Sequence, residues 1–204
     1  MEPIVQLNSN AKLSEHFTLG ELTKSGSHPE VYNIPSHEAI ENMKRLCIWL
    51  EELRKRYNDK YVVVKGDSST SLGMTNGGGT LGMTSSSLSS RPSEARGEIS
   101  EEPIRLNSGY RAPQLNRAIG GAPNSNHLTG CAVDIRVSGM EQLIRYAAIL
   151  LDISNETHQD FDELLIEKRS ASPLGSSKNR HGAIWLHFAV RPSHNRRKVS
   201  LIQA

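Results

Sequence analysis

Apolar positions along this chain follow two periods, and the changes between them mark its elements. Ile40, Met43, Cys47, Leu50 and Leu53 recur at three- and four-residue steps, with Glu41, Lys44, Arg45, Glu51, Glu52 and Lys55 on the other side. This spacing predicts an amphipathic helix over about 36–57, introduced by Pro35 and Ser36. Thr18-Leu19-Gly20-Glu21 has capping-box spacing, with Phe17 and Leu22 placed as a hydrophobic staple, so a short helix is expected near 19–24. Pro113 opens a helix through Leu115 and Ala118, ended by Gly120 and Gly121. Gly139 precedes another over about 140–151, with Leu143, Ala147 and Leu150 turned inward.

The second period is two. In CAVDIRV, Cys131, Val133, Ile135 and Val137 share one face, while Ala132, Asp134 and Arg136 share the other. In AIWLHFAV, Ile184, Leu186, Phe188 and Val190 form the apolar face, opposite Trp185 and His187. FDELLIE (161–167) reads as a further strand, as do Tyr61 to Val64 and the IRLNS that follows Pro103. Helices come first and mixed strands follow, which predicts an α+β domain with an antiparallel sheet and flanking helices.

Residues from about 65 to 102 break both periods. Ser, Gly and Thr dominate, and SLGMT and TLGMT recur at Ser71–Thr75 and Thr80–Thr84. Such a composition cannot bury enough apolar surface to order itself, so a flexible insertion within one domain spanning 1–204 is expected. Loop-closure entropy grows only logarithmically with length, so a long insertion costs little stability. The insertion also dilutes the hydrophobic content to 36%. About 165 residues remain without it, enough for a real core.

A net charge of +2 gives no electrostatic support to nucleic-acid binding. The basic HNRRKV near the C-terminus is short and reads as a solvated end. Cys47 and Cys131 both fall on apolar faces and read as small buried hydrophobes, with no disulfide framework. MEPIVQLNSNAK lacks a basic and then apolar leader, so no signal peptide is expected, and no run reaches membrane-spanning length.

Chemistry concentrates at His127, Asp134 and His187. Any one histidine could be an ordinary core or surface side chain. Here, however, two strands each bury one side and present one ligand type on the other. His127 sits just before the first, where the turn Leu128-Thr129-Gly130 can swing its ring toward Asp134. Two imidazoles and one carboxylate, with a fourth position open for water, make a hydrolytic zinc site rather than a structural one. One zinc per chain is expected.

These stretches also carry a resemblance. SGYR (108–111), LNRAIGGAPNSNHLTGCAVDI (115–135), FDELLIEK (161–168), WLH (185–187) and NRRKV (195–199) resemble the zinc D-Ala-D-Ala carboxypeptidase family, and its small bacterial and phage branch in particular. SEHFTLGELTKS (14–25) and IENMKRLCIWLEELR (40–54) look like the N-terminal part of that branch. The resemblance covers most of the chain outside about 65–102. It implies a fold related to the hedgehog signalling domain and the lysostaphin-type endopeptidases. It implies cleavage of peptide bonds in bacterial cell-wall peptides, and zinc ligands at His127, Asp134 and His187; a monomer is expected.

It also assigns Arg111 of SGYR to the substrate, whose carboxylate or carbonyl a planar guanidinium can hold in a way a lysine cannot. Ser125 is a substrate hydrogen-bonding candidate by motif position, and Tyr110 reads as packing. The general base departs from the pattern. Classical members carry a Glu three residues before the last His, and Ile184 stands there, whereas the small branch typically has a Glu or Asp where Glu167 stands. Glu167, at the end of the preceding strand and opposite the Leu164–Ile166 face, takes the role if that strand pairs with the His187 strand. His181 is the second candidate. Because the metal itself acidifies water, the base need only be modest.

The expected activity is a zinc metallopeptidase acting on peptidoglycan stem peptides. Without a signal peptide it would reach the wall after lysis, by a phage-type export route, or within a virion. Two rivals remain open at this point: an inactive zinc-stabilised wall-binding module, and a structural or lysis-accessory phage protein tethered by the Ser/Gly insertion.

Overall fold

A computed structural model describes residues 8–25, 28–62, 101–171 and 182–203. Its helices are α1 (Leu19–Thr23), α2 (His37–Tyr61), α3 (Pro113–Ala118) and α4 (Met140–Thr157). Its strands are β1 (Leu106–Ser108), β2 (Ala132–Arg136), β3 (Glu163–Arg169), β4 (Ala183–Ala189) and β5 (Lys198–Gln203), and a 3₁₀ turn spans Asn126–Thr129. This is an α+β fold with one five-stranded sheet, ordered β1-β2-β4-β3-β5, and flanking helices. Among the described residues, no helix is long and apolar enough to cross a membrane.

Local signals start the helices where the sequence indicates. The Thr18 hydroxyl accepts from the Glu21 N–H while Glu21 reaches back to the Thr18 N–H, closing the capping box. Ser36 caps α2 by accepting from the Ala39 N–H. Inside, Leu46, Leu50 and Leu53 of α2 and Leu143, Tyr146 and Leu150 of α4 join Val133, Ile135, Leu164, Leu186 and Phe188 of the sheet in one core. Trp49 of α2 meets Phe188 of β4 with ring centroids 5.4 Å apart. The helices therefore cover the apolar sheet face that strand alternation indicates. The thiols of Cys47 and Cys131 are both free and buried, and burial pushes the Cys47 thiol up to about 12.

Three expectations change. Tyr61 is the last residue of α2, which runs one turn beyond about 57, so the short strand expected from Tyr61 does not begin there. Tyr57 explains the extension, because its ring packs edge-on against Tyr146 at 4.8 Å and draws the last turn onto α4. Helix α4 continues to Thr157 rather than about 151, with Ile153 and Ser154 still buried. The sheet is not wholly antiparallel: β5 pairs with β3 in parallel, while the other pairings are antiparallel. The HNRRKV run is largely exposed, as expected, and it is also the entry to β5. There Arg196 binds Asp162, and the Arg197 and Lys198 N–H groups donate to the Phe161 and Asp162 carbonyls at 2.8 and 3.0 Å. The insertion expected at about 65–102 lies outside the described residues except for Glu101 and Glu102. The remainder of the Tyr61–Val64 strand, beyond Val62, lies outside them as well.

Candidate metal centre

Asp134 and His187 are direct cross-strand partners in the antiparallel β2–β4 pair. Such partners bring their Cβ atoms to about 5 Å, close enough for short polar side chains to converge. The approach of His127 is set by the 3₁₀ turn, which α2 grips from outside. The Asn42 side-chain amide donates to the Thr129 carbonyl at 2.8 Å. Gly130 lies against the Ala39 carbonyl, where an added Cβ would come to 2.5 Å, and its φ of 72° is itself left-handed. The ligand atoms of His127, Asp134 and His187 all lie within 4.8 Å of one another, and all three residues are buried.

The hydrogen bonds fix which atoms face inward. His127 Nδ1 sits 2.6 Å from the Gly109 carbonyl. A carbonyl only accepts, so Nδ1 carries the proton and donates. Burial holds this imidazole below its ordinary value, the Asp134 charge offsetting only part of that, so the ring is neutral and Nε2 keeps its lone pair. That lone pair faces Asp134 Oδ1 at 3.2 Å. Two acceptors turned on each other in a buried space are the arrangement a shared cation satisfies. His187 Nδ1 approaches the same Oδ1 at 3.0 Å, while its Nε2 lies 3.6 Å from Glu163 Oε2. Burial opposes charge on His187, but hydrogen bonds to Asp134 and Glu163 prevail and raise it to about 9. Burial likewise opposes ionisation of Asp134, yet its neighbours prevail, the hydrogen bond and charge of His187 among them, and hold it far below the carboxylate range. An N,O,N donor set of this kind, with imidazoles oriented by outer partners, fits zinc held by three protein ligands.

Arg111 reaches this cluster. Its Nη2 donates to Asp134 Oδ2 in a short ion pair, and its Nε donates to Ser108 Oγ at 2.8 Å. Ser125 caps the 3₁₀ turn, its hydroxyl accepting from the His127 N–H at 3.3 Å. Tyr110 is buried and donates its hydroxyl to the Ile34 carbonyl. Strand β3 does pair with β4: Leu165 lies opposite His187 and Glu167 opposite Trp185, so Glu167 shares the sheet face of His187. Burial raises the Glu167 carboxyl, and the nearby Asp134 charge raises it further. Ile184 packs against the core. His181 lies outside the described residues.

Sequence reasoning missed a second layer of charge. Asp162 is completely buried at the start of β3. Its Oδ1 accepts from Arg196 Nε at 2.8 Å and its Oδ2 from Arg196 Nη2 at 2.7 Å. Oδ2 also accepts from Asn126 Nδ2 at 2.8 Å and lies 3.0 Å from Arg191 Nε. Asn126 donates in addition to Glu163 Oε2 at 2.9 Å, and Arg196 pairs with Glu163 Oε1 at 2.9 Å. The hydrogen bond to His187, despite the cost of burial, and the Arg196 charge hold the Glu163 carboxyl down at about 2. One network thus joins the residue before His127, the neighbour of His187 and the entry to β5. Its sequence sign is an acidic pair, Asp162-Glu163, opening an apolar strand, with the basic HNRRKV run downstream.

Residues 93–154 match a family model described as Peptidase M15. The match takes in Arg111, Ser125, His127 and Asp134 and ends before β3, so Glu167 and His187 lie beyond it. It supports the zinc D-Ala-D-Ala carboxypeptidase-like M15 family that the motifs resemble, and with it a peptidase of the zinc peptidase superfamily. No curated protein matches the chain.

Proposed function

We propose that this chain, with its Peptidase M15 segment, is a zinc-dependent metallopeptidase that hydrolyses peptide bonds in peptidoglycan stem peptides. The observation that carries this reading is the convergence of His127 Nε2 and His187 Nδ1 on one oxygen of Asp134, at 3.2 and 3.0 Å. Zinc, held there by these three residues, would supply Lewis acidity toward the scissile carbonyl and a water acidic enough to attack near neutral pH. The chain's own groups supply the rest. Glu167, with its carboxyl raised by burial, takes the proton of the attacking water and passes it to the leaving amine. The Arg111 guanidinium sits at the mouth of the cluster, where a substrate carboxylate or carbonyl can meet the N–H groups that Ser108 and Asp134 leave over. Ser125 flanks the same turn.

One observation favours a second reading, a zinc-stabilised wall-binding module without turnover. Ile184, which stands where classical members hold Glu, packs against the core and can carry no proton. Incubating the zinc-loaded full chain with purified peptidoglycan and analysing the released muropeptides separates the two. New amino or carboxyl termini in the stem peptides support the peptidase. Wall binding with intact muropeptides supports the module. The same product analysis tells a trimmed terminal D-alanine from an internal cut.

A further inference from the structure

The ligand candidates are held from behind by a single loop. Gly109 supplies the carbonyl that fixes the His127 tautomer, and the Arg111 N–H donates back to the His127 carbonyl at 3.0 Å. Asp134 has two oxygens with different surroundings. Oδ1 faces both imidazoles, and Oδ2 accepts from Arg111. The guanidinium is 15% exposed and is pinned by Ser108 as well. Its backbone is fixed from both sides by one side chain, Asn33. Asn33 Nδ2 donates to the Tyr110 carbonyl at 2.8 Å and to the Thr23 carbonyl at 2.7 Å. Asn33 Oδ1 accepts from the Ala112 N–H at 2.6 Å. A guanidinium serving the substrate alone would have no reason to be bonded to a ligand carboxylate or clamped at both neighbouring peptide groups.

We infer that Arg111 is a positioning residue of the metal centre. It occupies Asp134 Oδ2 so that Oδ1 alone is presented between the imidazoles, and Asn33 holds Arg111 in that pose. The inference rests on the zinc reading of the site. The terminal torsion of an aspartate is broad and two-fold, so an unheld carboxylate can rotate and offer either or both oxygens. With Oδ2 taken, the carboxylate contributes one atom and the open position needed for hydrolysis is kept. Without Arg111, Oδ2 is also left buried and short of a donor.

Two effects of Arg111 on zinc affinity have opposite sign, which makes the inference testable. A cation near the site repels zinc, so removing it by charge alone should tighten binding. Loss of an outer-shell partner typically weakens metal affinity by roughly 10–100-fold. The experiment is chelator-competition titration of zinc on the full chain, without substrate, for the parent, Arg111→Ala, Arg111→Gln, Asn33→Ala and the Arg111→Ala/Asn33→Ala double variant. Thermal unfolding of each metal-free protein checks that it folds. Arg111→Ala is expected to weaken zinc by about 10–100-fold. Arg111→Gln, which can still donate to Oδ2 without a charge, should recover part of that loss. Asn33→Ala should weaken binding in the same direction, with little added in the double variant, because both act through one contact. Unchanged or tighter zinc in a folded Arg111→Ala, or in a folded Asn33→Ala, overturns the inference while leaving the zinc reading intact, and an accompanying rise in KM alone would make Arg111 purely a substrate residue. A parent that binds no zinc overturns both.

Discussion

Replacing Asp162 by Asn changes a single buried oxygen and tests whether the charged layer behind the candidate metal ligands holds the site together. The carboxylate is fully buried and accepts from Arg196 through both Nε and Nη2, from the Arg196 N–H, and from Asn126, with Arg191 at 3.0 Å. Asp162→Asn keeps the shape, removes the charge and turns an NH2 toward groups that are themselves donors. Breaking a buried ion pair on one side costs about 3–5 kcal/mol. Here the arginines are 47% and 35% exposed and can regain water, which places the loss near the lower end, about 3 kcal/mol. For a chain of this length that corresponds to a fall in Tm of about 6–12 °C.

The effect depends on pH with a definite sign. Burial alone would raise the Asp162 carboxyl, but its hydrogen bonds from Arg196 and Asn126 and the Arg191 charge together hold it below its ordinary value of 3.8. A depressed carboxyl contributes stability that is complete above the unfolded value and is lost as pH falls through the folded one. Chemical unfolding of parent and variant at pH 7, 5, 4 and 3.5 should therefore show a full difference at pH 7 and 5 that narrows only below about 4. Equal stabilities at pH 7, or a difference already narrowed at pH 5, would refute the reasoning. Zinc affinity should fall with stability, since Asn126 precedes His127 and Glu163 lies beside His187.

Three other outcomes are expected. The triple variant His127→Ala/Asp134→Ala/His187→Ala should lose the single zinc that elemental analysis finds in the parent, and stoichiometric zinc retained there would remove the ligand assignment. Glu167→Gln should keep fold and zinc but lose roughly 10²–10⁴-fold in turnover of peptidoglycan, the usual contribution of a positioned general base, and parental activity would take that role from Glu167. Gly109→Ala would set a Cβ 2.3 Å from the Leu22 carbonyl oxygen, so it should cost about 1–3 kcal/mol in denaturant unfolding and weaken zinc by displacing the carbonyl that orients His127. An unaltered unfolding midpoint would contradict that close approach.

Local rules carried the sequence far. Capping residues, three- and four-residue apolar steps and strand alternation are decided within a few residues of chain, so α1, the body of α2, the apolar sheet face and the outward side of Asp134, Glu167 and His187 were legible without a structure. The residues of the candidate metal centre, His127, Asp134 and His187, were legible for the same reason. Register was not. That Asp134 meets His187 across 53 residues, and that Leu165 rather than Glu167 stands opposite His187, depends on how strands slide against one another, which period-two patterning leaves open. The parallel edge strand was hidden because its Val199 and Leu201 are exposed, so its apolar positions do not mark a buried face, and it is held by backbone bonds and by Arg196 on Asp162. Asn33 spans 79 residues to reach Ala112, and Arg111 reaches Asp134 rather than open solvent. Side-chain polar contacts of this range leave no periodic trace in a sequence, because only the packed tertiary structure determines which donor each buried acceptor finds.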